Sequence, residues 1–111
     1  MDEFIKNQLG DAELLAQLAE EAAELAQAAL KLRRVIDGKN QTPVKYEDAL
    51  ENLREEVADV DLVLAVLGLC EDTEAVRARW DAKLARWKNR MKASNPDEWE
   101  DKTESGLLEE D

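Results

Sequence analysis

Two clusters of carboxylates are the part of the sequence with the clearest chemical potential. The same pattern, L-x-x-L-x-E-E-x-x-acid-apolar, occurs twice, in LAQLAEEAAEL (15–25) and in LENLREEVADV (50–60). Positions three apart on a helix are surface neighbours, so Glu21 would lie beside Glu24, and Glu56 beside Asp59. Like charges placed in this way repel each other. Each pair is therefore expected to have a source of positive charge nearby.

The apolar residues around these clusters step by three and four positions, which is the period of an amphipathic helix. In the first helix the predicted stripe is Leu15, Leu18, Ala22, Leu25, Ala29, Leu32 and Ile36. In the second it is Leu50, Leu53, Val57, Val60, Leu64 and Leu67. At about 100° per residue, Glu21 and Glu56 lie about 70° from the centre of their stripes. Glu24 and Asp59 lie about 130° from it, on the same side.

A short connection between the two helices favours an antiparallel hairpin, in which the four acids converge at one edge of the interface. No lysine or arginine occurs at positions 12–30 or 55–76, so local ion pairs cannot neutralise that edge. Charges partly removed from water are strongly unfavourable without a cation. The predicted partner is a metal ion, held by Glu21, Glu24, Glu56 and Asp59. Because the ligands are oxygens and the chain contains no histidine, magnesium is expected, with manganese as a substitute.

A third predicted helix follows, with an apolar stripe of Val76, Trp80, Leu84, Trp87 and Met91. It is the most basic part of the chain, with cations at Arg77, Arg79, Lys83, Arg86, Lys88 and Arg90. Carboxylate-held magnesium that stays partly hydrated commonly binds phosphate, and this helix supplies the charge that a phosphate chain needs. Gln17, one turn before Glu21, is a further candidate for contact with a nucleotide. For each of these residues the alternative is ordinary solvated helix surface.

The chain is predicted to form one all-α domain at residues 1–91, followed by a mobile acidic tail at 92–111. The tail holds eight acids and two bases, which is −6 of the net charge of −12. Between the first two helices lies DGKNQTP (37–43), where Gly38 is expected to cap the first helix and Thr42-Pro43 to open the second. The second helix is expected to run to about residue 69.

Several classes of function are unfavourable for this composition. The net charge of −12 argues against binding to a nucleic-acid polymer or to an anionic membrane. The longest apolar run, at 62–70, is too short to span a bilayer, and the first ten residues predict a short helix rather than a secretory signal. A single cysteine, Cys70, excludes an intrachain disulfide. A cytoplasmic protein is therefore expected.

Three segments together resemble a known family. They are QLAEEAAELAQA (17–28), ENLREEVADVDLVL (51–64) and KLARWKNR (83–90). They are similar to the MazG-like all-α nucleoside triphosphate pyrophosphohydrolases, particularly to small phage and prophage-type members. The family signature is Glu-x-x-Glu on one helix and Glu-x-x-Asp on the next, which falls here on Glu21 with Glu24 and on Glu56 with Asp59. The resemblance covers roughly residues 8–91.

This resemblance implies that the four acids bind magnesium and that a water attacks the α-phosphorus of a nucleoside triphosphate, releasing the monophosphate and pyrophosphate. It implies that Lys83 and Arg90 hold phosphates, with Arg86 as an alternative, and Glu24 is one candidate for orienting the water. Family members often have asparagine near the position of Trp87, so the sugar and base contacts stay open.

The resemblance also implies dimers or dimers of dimers. The predicted architecture is therefore an antiparallel hairpin plus a third helix, which completes a helical bundle in a homodimer or homotetramer. Two other functions remain open. One is a non-catalytic interaction module whose acidic face binds a basic partner. The other is an inactive metal-binding bundle.

Overall fold

The computed structural model describes residues 3–39 and 43–94. Within these ranges the chain is all-helical and contains no strand, which confirms the predicted fold class. The helices are α1 (Glu3–Ile36), α2 (Tyr46–Leu67) and α3 (Glu74–Ser94). Backbone contacts group the chain into two compact units, Met1–Glu71 and Asp72–Asp111. The predicted boundary between domain and tail at 91/92 stays a prediction, because residues 95–111 lie outside the described ranges.

Helix α1 has a kink near its start and a glycine cap at its end. Gly10 has φ 79° and ψ 164°, so residues 3–9 form the short N-terminal helix that was predicted. At the other end Gly38 adopts φ 74°, and the Lys39 N–H donates to the Arg34 carbonyl at 3.0 Å. A left-handed residue with this six-residue hydrogen bond is a glycine C-cap. The predicted role of Gly38 is confirmed.

Helix α2 begins later than predicted. Pro43 is not helical, and Lys45 is the N-cap with an extended backbone (φ −72°, ψ 144°). Expecting Pro43 at the first helical position was therefore wrong, and Thr42 lies outside the described residues. The physical reason is the position of the acids, since Glu47 and Asp48 place negative charge in the first turn of a helix that starts at Tyr46.

The C-terminus of α2 is a second glycine cap. Gly68 adopts φ 75° and its N–H donates to the Ala65 carbonyl at 3.0 Å. The Leu69 N–H donates to the Leu64 carbonyl at 2.8 Å. These two bonds satisfy carbonyls that a helix end otherwise leaves without partners. Because the cap needs a left-handed residue, the helix stops at Leu67, two residues before the expected end.

Helices α1 and α2 pack against each other as an antiparallel hairpin. Near the connection Arg34 of α1 lies with Pro43, which precedes α2. Further along, Glu24 of α1 lies with Glu56 of α2. Residue numbers therefore decrease along α1 in the direction in which they increase along α2. The predicted hairpin orientation is confirmed.

The buried and half-buried side chains of the hairpin form a seam with alternating steps of four and three. On α1 the seam consists of Leu14, Leu18, Glu21, Leu25, Ala28, Leu32 and Val35. On α2 the positions with these steps are Ala49, Leu53, Glu56, Val60, Val63 and Leu67, and further buried or half-buried side chains, including Leu50, Leu64 and Val66, lie beside them. This is the step by which two helices interlock side chains along a common contact line. Glu21 and Glu56 thus occupy seam positions that are otherwise apolar.

The predicted apolar stripe of α1 is confirmed at Leu18, Leu25 and Leu32, and it was wrong at its other four positions, where the preceding residue faces α2 instead. Leu15 and Ile36 are each 51% exposed, and Ala22 and Ala29 are exposed as well. Apolar residues occur on both sides of this helix, so composition alone could not decide which side α2 covers. The outcome leaves α1 with a second apolar face that no described residue covers. On α2 the predicted apolar stripe is confirmed except at Val57, which is exposed.

Helix α3 is capped at its start by Thr73. The Thr73 hydroxyl oxygen accepts from the Val76 N–H at 3.2 Å, and the Thr73 carbonyl accepts from the Arg77 N–H at 3.0 Å. The predicted helix is confirmed, but every described side chain of α3 is exposed, including Trp80 and Trp87. In the described ranges, none of the helices combines the length and apolarity needed to cross a membrane.

Candidate metal centre

Three of the four predicted metal ligands converge across the seam. One carboxylate oxygen each from Glu21, Glu24 and Glu56 lies within 4.8 Å of the other two. Helix α1 supplies two of these side chains from successive turns, and α2 supplies the third. Two oxygens bound to one Mg²⁺ or Ca²⁺ lie about 2.0–2.6 Å from the ion, and so at most about 5 Å from each other. The spacing fits a single divalent cation.

The inner two carboxylates each have an oxygen without a hydrogen-bond partner. Glu21 Oε2 and Glu56 Oε2 are shielded from solvent, and no described group donates to either. The other oxygen of Glu21 accepts from Gln17 Nε2 at 2.8 Å. Buried carboxylate oxygens without donors are strongly unfavourable. A cation between the two helices would satisfy both, so this donor set fits a hard divalent metal ion.

Gln17 was predicted to contact a nucleotide, and the structure places it against Glu21. Its amide holds one oxygen of that carboxylate, which restricts the side chain and leaves the second oxygen turned into the seam. Partners of this kind orient metal ligands in many sites. The contact of Gln17 with substrate stays a prediction.

Electrostatic repulsion within the cluster acts most clearly on Glu24. The neighbouring Glu21 carboxylate raises the pKa of Glu24 above its ordinary value, and the Glu56 carboxylate adds to the shift. The ion pairs of Glu51 with Arg54 and of Asp72 with Arg77 do not include a carboxylate of the cluster. The cluster is therefore a concentration of negative charge that the described side chains do not neutralise.

The fourth predicted ligand, Asp59, lies outside this group. It is exposed, one turn beyond Glu56 on α2, and none of its oxygens falls within the 4.8 Å cluster. Its side chain is one methylene shorter than glutamate and starts further from the seam. The role of Asp59 as a metal ligand stays a prediction.

A groove of about 510 Å³ adjoins the cluster, and we call it the α1–α2 groove. Its polar lining consists of Glu24, Gln27, Lys31, Arg34, Asn52 and Glu56. Lys31 and Arg34 were not predicted as site residues, because the cations of the sequence are concentrated on the third helix. A signal was present, since Lys31 follows Glu24 by one heptad and so lies on nearly the same face of α1.

The three cations predicted to bind substrate lie together on α3. Lys83, Arg86 and Arg90 line one shallow surface of this helix, together with Trp87. Their spacing of three and four positions places them on one face, as expected for a helix. They belong to the second unit, Asp72–Asp111. Their contact with a phosphate chain stays a prediction.

Comparison of the chain with protein-family models, curated proteins and solved structures finds no match.

Proposed function

We propose that this chain is a magnesium-dependent nucleoside triphosphate pyrophosphohydrolase of the MazG-like type. It would cleave the bond between the α- and β-phosphates and release a nucleoside monophosphate and pyrophosphate. The proposal joins two arguments. One is the resemblance of the two acidic helices and the basic third helix to that family. The other is the chemistry of the seam.

A single observation carries the proposal. Glu21 and Glu56 occupy otherwise apolar seam positions, and each has a shielded oxygen with no donor among the described residues. An apolar side chain at either position would pack better and avoid the repulsion. Acids at such positions are typical of sites that bind a cation, and sites of this kind concentrate at functional centres.

The residues of the seam have separable roles in the proposed reaction. Glu21, Glu24 and Glu56 would hold the ion, and Gln17 keeps Glu21 in place. When bound, magnesium supplies charge neutralisation to the phosphate chain and lowers the pKa of a coordinated water. Asp59 is proposed to complete the ligand set on the exposed side.

Glu24 is the best-placed residue to accept a proton. It is the exposed member of the cluster, so its carboxylate is open to the water that must lose a proton. In the proposed step the water oxygen forms a bond to the α-phosphorus while the proton passes to Glu24. The bond from that phosphorus to the bridging oxygen breaks, and its electron pair leaves with pyrophosphate.

The finer parts of the proposal concern assembly and substrate contacts. The uncovered apolar face of α1, with Leu15 and Ile36 exposed, supports a homodimer or homotetramer that would bury it. Lys83, Arg86 and Arg90 are proposed to bind phosphates from the basic face of α3. A cytoplasmic location follows from the substrate, because triphosphates and magnesium are both present there.

The direct test is to incubate the purified chain with each common nucleoside triphosphate and magnesium, and to resolve the products chromatographically. We expect a monophosphate and pyrophosphate in equal amounts. A diphosphate with orthophosphate would contradict the assigned bond cleavage. No turnover, together with a melting temperature that ignores magnesium, would instead favour the non-catalytic interaction module. Metal-dependent stability without turnover would favour the inactive metal-binding bundle.

A further inference from the structure

The α1–α2 groove has negative charge at one end and positive charge at the other. Glu24 and Glu56 mark the acidic end, and Lys31 and Arg34 mark the basic end. Lys31 lies seven residues beyond Glu24, about 10 Å along the axis of α1, and Arg34 lies about 15 Å along it. Neither cation forms an ion pair within the described residues. The positive charges of the groove are therefore available to a ligand.

From this arrangement we infer that Lys31 and Arg34 bind the phosphate chain of the substrate, which lies along the α1–α2 groove with its metal-bound end at the carboxylates. The inference rests on the proposed function and adds the direction in which the substrate lies. A metal–phosphate complex has the matching polarity, with a cation at one end and free anionic oxygens at the other.

The direction of the side chains supports this assignment. Long side chains on a helix generally lean towards its N-terminus, and for Lys31 and Arg34, which both line the groove, that is the direction of Glu24. Arginine presents a planar fork that bonds two phosphate oxygens, and lysine presents a charge on a flexible stem. Between them and the acids lie the amides of Gln27 and Asn52, which can donate to phosphate oxygens or bond a base.

An ordinary structural explanation also exists for basic residues at this place. Arg33 and Arg34 lie in the last turn of α1, where positive charge favours the helix through its dipole. Arg33 shares that position but does not line the groove. The neighbouring arginines therefore separate the two explanations, because both act on the helix end and only one faces the groove.

The experiment measures binding of inorganic tripolyphosphate in the presence of Mg²⁺ by titration calorimetry. Charge-assisted hydrogen bonds support an expected weakening of about tenfold for Lys31→Gln and for Arg34→Gln. Arg33→Gln removes the same charge and should change the affinity by less than about twofold. Affinity for Mg²⁺ alone, measured separately, should stay within about twofold in all three variants, because none removes a carboxylate.

Each outcome decides the inference. Wild-type protein that binds Mg²⁺ and tripolyphosphate, with Arg34→Gln and Arg33→Gln weakened equally or not at all, would overturn the groove assignment and leave the proposed function standing. Wild-type protein that binds neither Mg²⁺ nor tripolyphosphate would overturn the proposed function, and the assignment with it. Selective weakening by Lys31→Gln and Arg34→Gln supports the assignment.

Discussion

The carboxylates of the α1–α2 seam and the carboxylate that precedes α3 are in opposite electrostatic situations. Asp72 accepts two hydrogen bonds from the Arg77 guanidinium, both at 2.7 Å, although it is exposed and water could serve it as well. Glu21 and Glu56 each keep a shielded oxygen with no donor among the described residues. Arg77 thus pairs with an exposed carboxylate that water could also hydrogen-bond. The shielded oxygens of Glu21 and Glu56 have no such partner in the described part of the chain.

The protonation equilibria reflect the same contrast. The bidentate hydrogen bond from Arg77 lowers the pKa of Asp72 below its ordinary value. The Glu21 carboxylate raises the pKa of Glu24 above its ordinary value. A paired acid holds its charge more readily, and a crowded acid holds it less readily. The seam therefore holds carboxylates that repel one another, whereas the carboxylate before α3 is already paired with a cation.

The largest expected effect is the loss of activity in Glu56→Gln. This change removes one charge from the cluster and keeps the size of the side chain. Outer-shell partners of metal ligands are worth about 10–100-fold, so loss of a ligand should lower the hydrolysis rate by more than about 100-fold. The measurement is the initial rate of pyrophosphate release at saturating magnesium.

The matched control for that change is Glu55→Gln, which removes the same charge from an exposed neighbouring position. It should keep activity within about threefold, because an isolated surface charge contributes little. Equal losses in the two variants would show that total negative charge matters and the seam position does not.

The second effect is stabilisation by magnesium. At a free concentration of 100 times its dissociation constant, a bound ion adds about 2.7 kcal/mol to the free energy of unfolding. Wild-type protein should melt several degrees higher in magnesium, and Glu21→Gln should lose most of that increment. Asp72→Asn, measured as the control by calorimetry, should retain it. An equal gain in both variants would place the ion away from the seam.

The third effect is a pH dependence in metal-free protein. The folded state binds the Glu24 proton more tightly than the unfolded chain does, because its pKa is raised above the ordinary 4.5. Its contribution to stability is therefore fully present below pH 4.5 and is lost as pH rises through the raised folded-state pKa. Chemical denaturation across this window should show a smaller fall in Glu24→Gln than in wild type. In saturating magnesium the free energy of unfolding of the wild type should instead rise with pH across this window, because the bound ion favours the ionised carboxylate.

The smallest effect is expected at the paired carboxylate. Asp72 has a folded-state pKa below the ordinary 3.8, so its contribution is present above that pH and is lost as pH falls through the folded-state value. Arg77→Gln should remove this dependence and change the stability near neutral pH only slightly, because the pair is exposed. Denaturation curves at acidic and neutral pH measure it. A large loss near neutral pH would contradict the view that this pair is dispensable.

Local features of the sequence were enough to predict the three helices. Apolar residues at steps of three and four defined them, and Gly38 supplied the left-handed residue that ends the first helix. The start of α2 was missed because Thr42-Pro43 is also a good helix opening, and the first-turn acids of Tyr46–Leu67 outweighed it. Two start signals occur in this connection, the Thr-Pro pair and the first-turn acids, and the local sequence does not show which one is used.

Part of the candidate site was predictable from the sequence, and part depended on how the helices pack. Equal register in the two acidic segments was sufficient to predict that Glu21, Glu24 and Glu56 meet, once a hairpin was assumed. Asp59 shares the register, but it lies outside the observed group. Lys31 and Arg34 were missed because groove walls depend on how two helices face each other.

By itself the sequence determined that the chain is helical, where most helix ends lie, and that its duplicated acids lack local cations. Those properties depend on neighbours within about one turn, which the sequence lists directly. Only the tertiary structure decided which face of α1 meets α2, because apolar residues occupy more than one side of that helix. That rotation placed Glu21 in the seam and opened the groove beside Lys31. Packing chooses among faces by the fit of a whole partner surface, and no single segment contains that information.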